Sequence, residues 1–252
     1  MRVILLGTGT SHPSPDRVQS GVLVETEGVS LLLDIGSGVL RRLNEAHVDL
    51  LSLQHVFVSH FHVDHCSDFA TLLQTLWMSG YDGPLSVYGP EGLDRWLEGL
   101  LDISYPYLKG RVPLKSMSLK PYDTIEVASG VRVETCPTIH STMDSRAFKI
   151  VSEDRSIVYT SDTAPSDDVV RLASGVDLLI HECNWLDGDH PAGAHTSPSE
   201  LNEIIRRAAP RRVVLTHVAP EVVDNAAEVL ATVKRGVDAD VILAEDLLRF
   251  DL

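Results

Sequence analysis

Short apolar runs alternate along the chain with longer stretches in which apolar residues recur every three or four positions. VILLGTG, GVLVETE, SLLLDIG and HVFVSH are leucine-rich and β-branched runs of strand length, each giving way to glycine or a polar residue. Phe69, Leu72, Leu73, Leu76 and Trp77 then form the one-sided stripe of an amphipathic helix, which Gly80 closes. LSVYGPEGLDRWLEGLL repeats the strand-then-helix order.

The second half starts over with strands in PYDTIEVASGVRVETCPTIH, FKIVSE, SIVYTSD and VDLLIHE. TSPSELNEIIRRAAP predicts a helix that Ser197 caps, with Pro198 in its first turn and Glu200 completing a capping box. RVVLTH and ADVILAED are expected as the last strands, with a helix across NAAEVLATVKRG between them. This alternation predicts an α/β fold, a single domain over residues 1–252 built of two similar halves with strands inside and helices outside.

Composition narrows the class. At 44% hydrophobic residues the chain of 252 can bury a large core, and no apolar run approaches the roughly 18 residues of a membrane helix. The opening MRVILLGTGTSHPSP reads as a first strand rather than a secretory segment. Cys66, Cys136 and Cys183 are odd in number and widely spaced, which suits packing in a reducing cytoplasm better than a disulfide framework. The net charge of −15 argues against a general polyanion binder and fits a site that gathers divalent cations. The one basic patch, RRAAPRR, reads as a solvated helix end.

A pattern recurs at the strand ends. VSH (His60), TIH (His140), TSD (Asp162), IHE (Glu182) and LTH (His217) each place a histidine or carboxylate where an apolar strand stops. Such side chains converge at one rim of an α/β sheet. His60, His62, Asp64 and His65 add H-x-H-x-D-H at a strand-to-helix handover. On extended backbone His60 and His62 point the same way and can serve one ion, while Asp64 and His65 serve a second beside it. Asp162 is the natural bridge, and His140 and His217 would complete the two sets.

These motifs, with LLGTGTS, LLLDIGSG, TIHS and YTSDT, resemble the metallo-β-lactamase superfamily over nearly the whole chain. The resemblance implies an αββα four-layer sandwich with a dinuclear site between the halves. It implies His60, His62 and His140 on one metal, Asp64, His65 and His217 on the other, and Asp162 between them. Asp34 looks like the family's aspartate that orients the metal-binding loop. HECNW and AHTSPSE are similar to motifs of the tRNA 3′-processing endonuclease RNase Z, which implies a proton-donating role for His195 with Glu182 as its partner.

Two departures bear on the substrate. RNase Z enzymes carry P-x-K-x-R-N after the first strand, whereas Pro13, Pro15, Arg17 and Val18 stand here. They also insert a long basic arm before the bridging aspartate, and here His140 and Asp162 lie 22 positions apart with a β-hairpin-like stretch between. The expected activity is hydrolysis of a small or nucleotide-like phosphodiester by a hydroxide shared between two divalent metals, zinc or else manganese or iron. Asp64 orients the hydroxide and His195 is the general acid. The alternatives are tRNA 3′ processing and hydrolysis of a carboxylic, thio or sulfate ester. A cytoplasmic homodimer is expected from the resemblance, with no membrane partner. The loops Trp77–Pro84 and Trp185–Ala194 are expected to line the substrate pocket, and His12 is a further candidate liner.

Overall fold

The computed structural model describes residues 1–252. In chain order the first strands are β1 (Arg2–Gly7), β2 (Gly21–Thr26), β3 (Val29–Leu33), β4 (His55–Phe57), β5 (Leu85–Gly89) and β6 (Leu114–Ser118). Then follow β7 (Thr124–Ala128), β8 (Val131–Pro137), β9 (Arg146–Ser152), β10 (Arg155–Tyr159), β11 (Leu178–Glu182), β12 (Arg212–Thr216), β13 (Asp240–Leu243) and β14 (Leu248–Asp251). They form two seven-stranded sheets, ordered β14-β1-β2-β3-β4-β5-β6 and β13-β12-β11-β10-β9-β8-β7. In each, one half is antiparallel and the other parallel, the change falling at β3 in the first sheet and β10 in the second.

Alternation along the strands separates three cores. Val3, Leu5, Val22, Val24, Leu31 and Leu33 face the second sheet, where they meet Phe148, Ile150, Ile157 and Ile180. Phe57 stacks on Tyr88 at 4.3 Å between ring centres and meets Phe148 edge-on at 5.4 Å, closing this middle layer. Ile4, Leu6, Leu23, Leu32 and Val56 turn the other way, onto the apolar faces of α1 (Val39–Glu45), α3 (Phe69–Met78) and α4 (Leu93–Glu98). The second sheet buries Val158, Leu179, Val213 and Leu215 against α5 (Asp167–Leu172), α6 (Pro198–Ala208) and α8 (Ala226–Val233). The result is the expected αββα four-layer sandwich.

The forecast boxed helix is α6: Glu200 accepts from the Ser197 N–H at 2.9 Å and the Ser197 hydroxyl caps the other direction. The two remaining α-helices, α2 (Val63–Cys66) and α7 (Pro220–Asp224), are single turns. β13 is not the last strand, as the sequence pattern suggested. LRFD forms β14, which pairs antiparallel with β1 in the first sheet. Its four residues are too short to show a period, and the pairing comes from the outer edge of β1. No helix is long and apolar enough to cross a membrane.

Candidate metal centre

The carboxyl ends of β3, β4, β8, β10, β11 and β12 meet at one rim between the sheets. Several of these strands end in left-handed backbone that glycine usually supplies: Asp34 after β3 (φ 60°), Ser161 after β10 (φ 54°) and His217 after β12 (φ 49°). Such turns cost on the order of 1–3 kcal/mol each and persist only where the surroundings enforce them. Here the Asp34 N–H is held by the Phe57 carbonyl at 2.8 Å, and the Val218 N–H by the Thr8 carbonyl at 3.1 Å.

All seven metal-ligand candidates come together, in two groups that share one carboxylate. His60, His62, His140 and Asp162 form the first; Asp64, His65 and His217 form the second. His62 Nδ1 lies 3.0 Å from His60 Nε2 and 3.1 Å from His140 Nε2. Asp162 turns Oδ2 toward the first group, 3.6 Å from His140 Nε2 and 4.0 Å from His60 Nε2. Its Oδ1 faces the second, 3.4 Å from both His65 Nε2 and His217 Nε2. Asp64 Oδ2 is 3.3 Å from His217 Nε2 and 3.7 Å from His65 Nε2.

The far side of three of the rings is fixed. Ser59 Oγ donates to Asp34 Oδ2 at 2.8 Å and accepts from Ser161 Oγ at 2.7 Å, so His60 Nδ1, 3.0 Å away, is left to donate to it. His140 Nδ1 donates to the Ala194 carbonyl at 2.9 Å and His65 Nδ1 to Asp34 Oδ2 at 2.7 Å. A proton on Nδ1 leaves the lone pair on Nε2, pointed at the shared space. Asp34 is fully buried and also accepts the Ser59 N–H at 2.7 Å and the Tyr159 hydroxyl at 2.8 Å.

The residues fit a metal site. His65 Nε2 and Asp162 Oδ1 are buried without a hydrogen-bond partner, which protein side chains rarely tolerate, and both point into the cluster. Burial presses His60 well below the usual imidazole range, and the neighbouring His65 adds to this. At His65 burial also opposes charge, yet the Asp162 and Asp34 carboxylates outweigh it and lift the ring well above that range. Burial works against the Asp162 carboxylate too, but His217 and His65 hold it well below the usual acid range. These carboxylates draw positive charge to one point, as a cation site does.

Beside the cluster, His195 Nδ1 donates to Glu182 Oε1 at 2.8 Å. Glu182 is fully buried and also accepts the N–H groups of Thr163 (2.8 Å), Asn184 and Thr196 (both 3.2 Å). Burial pushes its carboxyl up and the Asp162 charge adds to that, while these donors favour the carboxylate. Burial lowers His195. The free face of His195 stacks on His217 at 5.5 Å and meets His140 at 5.0 Å, close enough that it could also ligate with Asp162 and His217.

Other histidines stay out. His181 is buried with Nδ1 on the Glu182 carbonyl at 2.7 Å, away from the cluster. His12 lines a separate cavity of about 540 Å³ with Arg17, Arg42 and Asp246. The Trp77–Pro84 loop is not at the site: the Tyr81 hydroxyl bonds the Leu53 and Pro84 carbonyls, which precede β4 and β5, at the opposite end of those strands. Trp185 does lie beside the site, its ring 5.1 Å from that of His195. Sequence reasoning passed over Ser59, Tyr159 and Ser161. The only signal for them is their place in the same strand-end motifs, VSH and VYTSD, on the side that faces Asp34.

A family model described as Anti-Pycsar protein Apyc1 matches residues 1–235. The Ribonuclease Z of Methanosarcina mazei is 29% identical, aligned over 100% of this chain and 98% of its own. Among solved structures, the metallo-beta-lactamase fold protein YhfI from Bacillus subtilis is 26% identical with a TM-score of 0.84, covering 99% of this chain and 98% of its own. The short form of human tRNase Z superposes with a TM-score of 0.83 at 24% identity, over 100% and 99% of the two chains.

Proposed function

Because the chain belongs to the Anti-Pycsar protein Apyc1 family and is an RNase Z-like metal-dependent hydrolase of metallo-β-lactamase fold, we propose that it hydrolyses a small, nucleotide-like phosphodiester. The observation that carries this is the division of the Asp162 carboxylate between two imidazole groups, with the His195–Glu182 pair alongside. His60, His62, His140 and Asp162 would hold one divalent cation, and Asp64, His65, His217 and Asp162 the other. Zinc, manganese and iron all suit this donor set. Two such ions would neutralise phosphoryl charge and lower the pKa of a water.

The chain's own groups do the rest. Asp64 orients the attacking water through its carboxylate. His195, with Nδ1–H committed to Glu182, turns its other nitrogen toward the leaving oxygen and delivers the proton there. Scale supports a small substrate. His140 and Asp162 are joined only by the hairpin β9–β10, and the chain carries −15 charge. Every arginine of RRAAPRR has a partner: Arg206 with Asn202, Arg207 with Asp167, Arg211 with Asp177 and Arg212 with Asp240. In this proposal the protein acts as a cytoplasmic homodimer.

The test is hydrolysis of bis(p-nitrophenyl) phosphate by metal-loaded protein, with Asp64→Ala and His65→Ala expected to abolish it. Unchanged turnover in either variant would remove the proposed chemistry. Precursor-tRNA 3′ processing is the second reading, favoured by the full-length likeness to the M. mazei Ribonuclease Z. Accurate 3′ cleavage of precursor tRNA at low salt, with no activity on small diesters, would establish it instead.

A further inference from the structure

Four aromatic rings run outward from the cluster in a row. His217 stacks on His195 at 5.5 Å, His195 meets the indole of Trp185 edge-on at 5.1 Å, and Trp185 is covered by His190 at 4.3 Å with 33° between the planes. The three tryptophans of the chain differ in what they do. Trp77 and Trp96 pack against the core of the first sheet, whereas Trp185 belongs to none of the hydrophobic cores and stays half-buried. A large indole left out of every core, one ring beyond a proton donor, is suited to a ligand.

The platform and its cover are held very differently. Trp185 directly follows Asn184 and lies three positions after Glu182, and the buried Glu182 carboxylate takes the Asn184 N–H as well as His195. Indole and proton donor therefore share one rigid anchor. His190 sits in a stretch, Gly188 to Ala192, whose backbone makes no hydrogen bond to another backbone group, and its Nδ1 is buried without a partner. Its one aromatic contact is the ring of Trp185.

We propose that Trp185 is the surface on which the base of a nucleotide substrate stacks, and that His190 occupies this place in the free protein and yields it on binding. The inference rests on the phosphodiester reading above and names the other end of that substrate. A phosphate at the cluster and a planar heterocycle on Trp185 leave between them the span of His195, which a sugar fills. Stacking on an aromatic side chain is tolerant of base identity and is worth roughly five- to a hundredfold in binding.

The test compares two p-nitrophenyl diesters with the same leaving group: thymidine 5′-phosphate p-nitrophenyl ester and methyl p-nitrophenyl phosphate. Trp185→Leu raises the ratio of their KM values, nucleoside over methyl, about tenfold, and Trp185→Phe raises it less. His190→Ala lowers the same ratio, because the competing ring is gone. A ratio unmoved by Trp185→Leu, or raised by His190→Ala, overturns the proposal. If the parent protein hydrolyses neither ester, the phosphodiester reading fails, and the platform is judged by tryptophan fluorescence. Quenching by AMP but not by ribose 5-phosphate, lost in Trp185→Leu, upholds it; no difference between the two ligands overturns it.

Discussion

The Tyr159 hydroxyl donates to Asp34 Oδ2 at 2.8 Å, so a strand end in the second sheet is bonded to the carboxylate that orients His65 in the first. Tyr159 sits three residues before Asp162, and Ser161 makes a parallel link to Ser59 at 2.7 Å. The hydroxyls of one half thus fix the donors of the other. Tyr159→Phe removes a buried hydrogen bond to a charged acceptor, worth about 1.5–3 kcal/mol. Thermal unfolding should shift down by several degrees, and metal affinity, read by chelator competition, should fall with it. An unchanged affinity would show that the two halves are held in register by other means.

Gly36 tests how closely the Asp34 loop presses on the H-x-H-x-D-H loop. A Cβ at Gly36 would lie 2.1 Å from the Asp64 carbonyl oxygen, which is backbone and cannot swing aside. The Ile35 N–H also holds the His65 carbonyl at 2.8 Å. Gly36→Ala should therefore displace Asp64 and His65 and lower the metal content found by elemental analysis of purified protein. Gly99→Ala, with nothing within 4 Å, is the control and should bind metal as the parent does.

Removing the shared carboxylate should cost more than removing one donor. If two cations bind as proposed, Asp162→Ala is expected to lower bound metal at both positions, because each would lose an oxygen and the charge between them would be gone. His140→Ala should empty the first position only. Equal stoichiometry in the two variants, measured by mass spectrometry under native conditions, would contradict a bridging role.

His195→Ala should slow cleavage of diesters with poor leaving groups by about 10²–10⁴-fold, the usual span of a general acid. With p-nitrophenolate, which leaves without a proton, the loss should be far smaller. Glu182→Gln should show the same leaving-group pattern in weaker form, since His195 keeps a partner of the same shape. A uniform loss across leaving groups would assign His195 to the metals instead.

His181 makes a prediction about pH. Burial drops its pKa to about 4, against 6.5 for a free imidazole. Between these values the unfolded chain binds a proton that the folded chain does not, so stability rises with pH. The contribution is fully present above pH 6.5 and is lost as pH falls toward 4, by about 3 kcal/mol in all. His181→Asn should flatten the stability curve from urea titrations in this window by about one proton, or about 1.4 kcal/mol per pH unit. A parallel offset with the same slope would mean His181 is charged in the fold.

The fold and the convergence of the seven candidate donors were legible because both rest on periodic or local signals. Short apolar runs marked the strands from VILLGTG to ADVILAED, and the residues where those runs stop are the ones the sheets bring to one rim. What failed had no local signature. LRFD becomes a strand only because β1 offers an unpaired edge. The Trp77–Pro84 loop was expected to line the pocket, yet it follows a helix that runs back toward the start of the next parallel strand, which carries it to the far end of the sheet. Tyr159 and Ser161 were hidden for a different reason. Their importance lies in bonds to Asp34 and Ser59, more than a hundred positions away in the chain.

The pairing of β14 with β1 bears on how the molecule is made. β14 follows every strand of the second sheet in the chain, so during translation β1 waits with one flank open until the rest of the sandwich has been synthesised. Nascent chains stalled short of residue 248 would expose that flank to other growing chains, which makes the closing step the stage at which a chaperone has the most to protect.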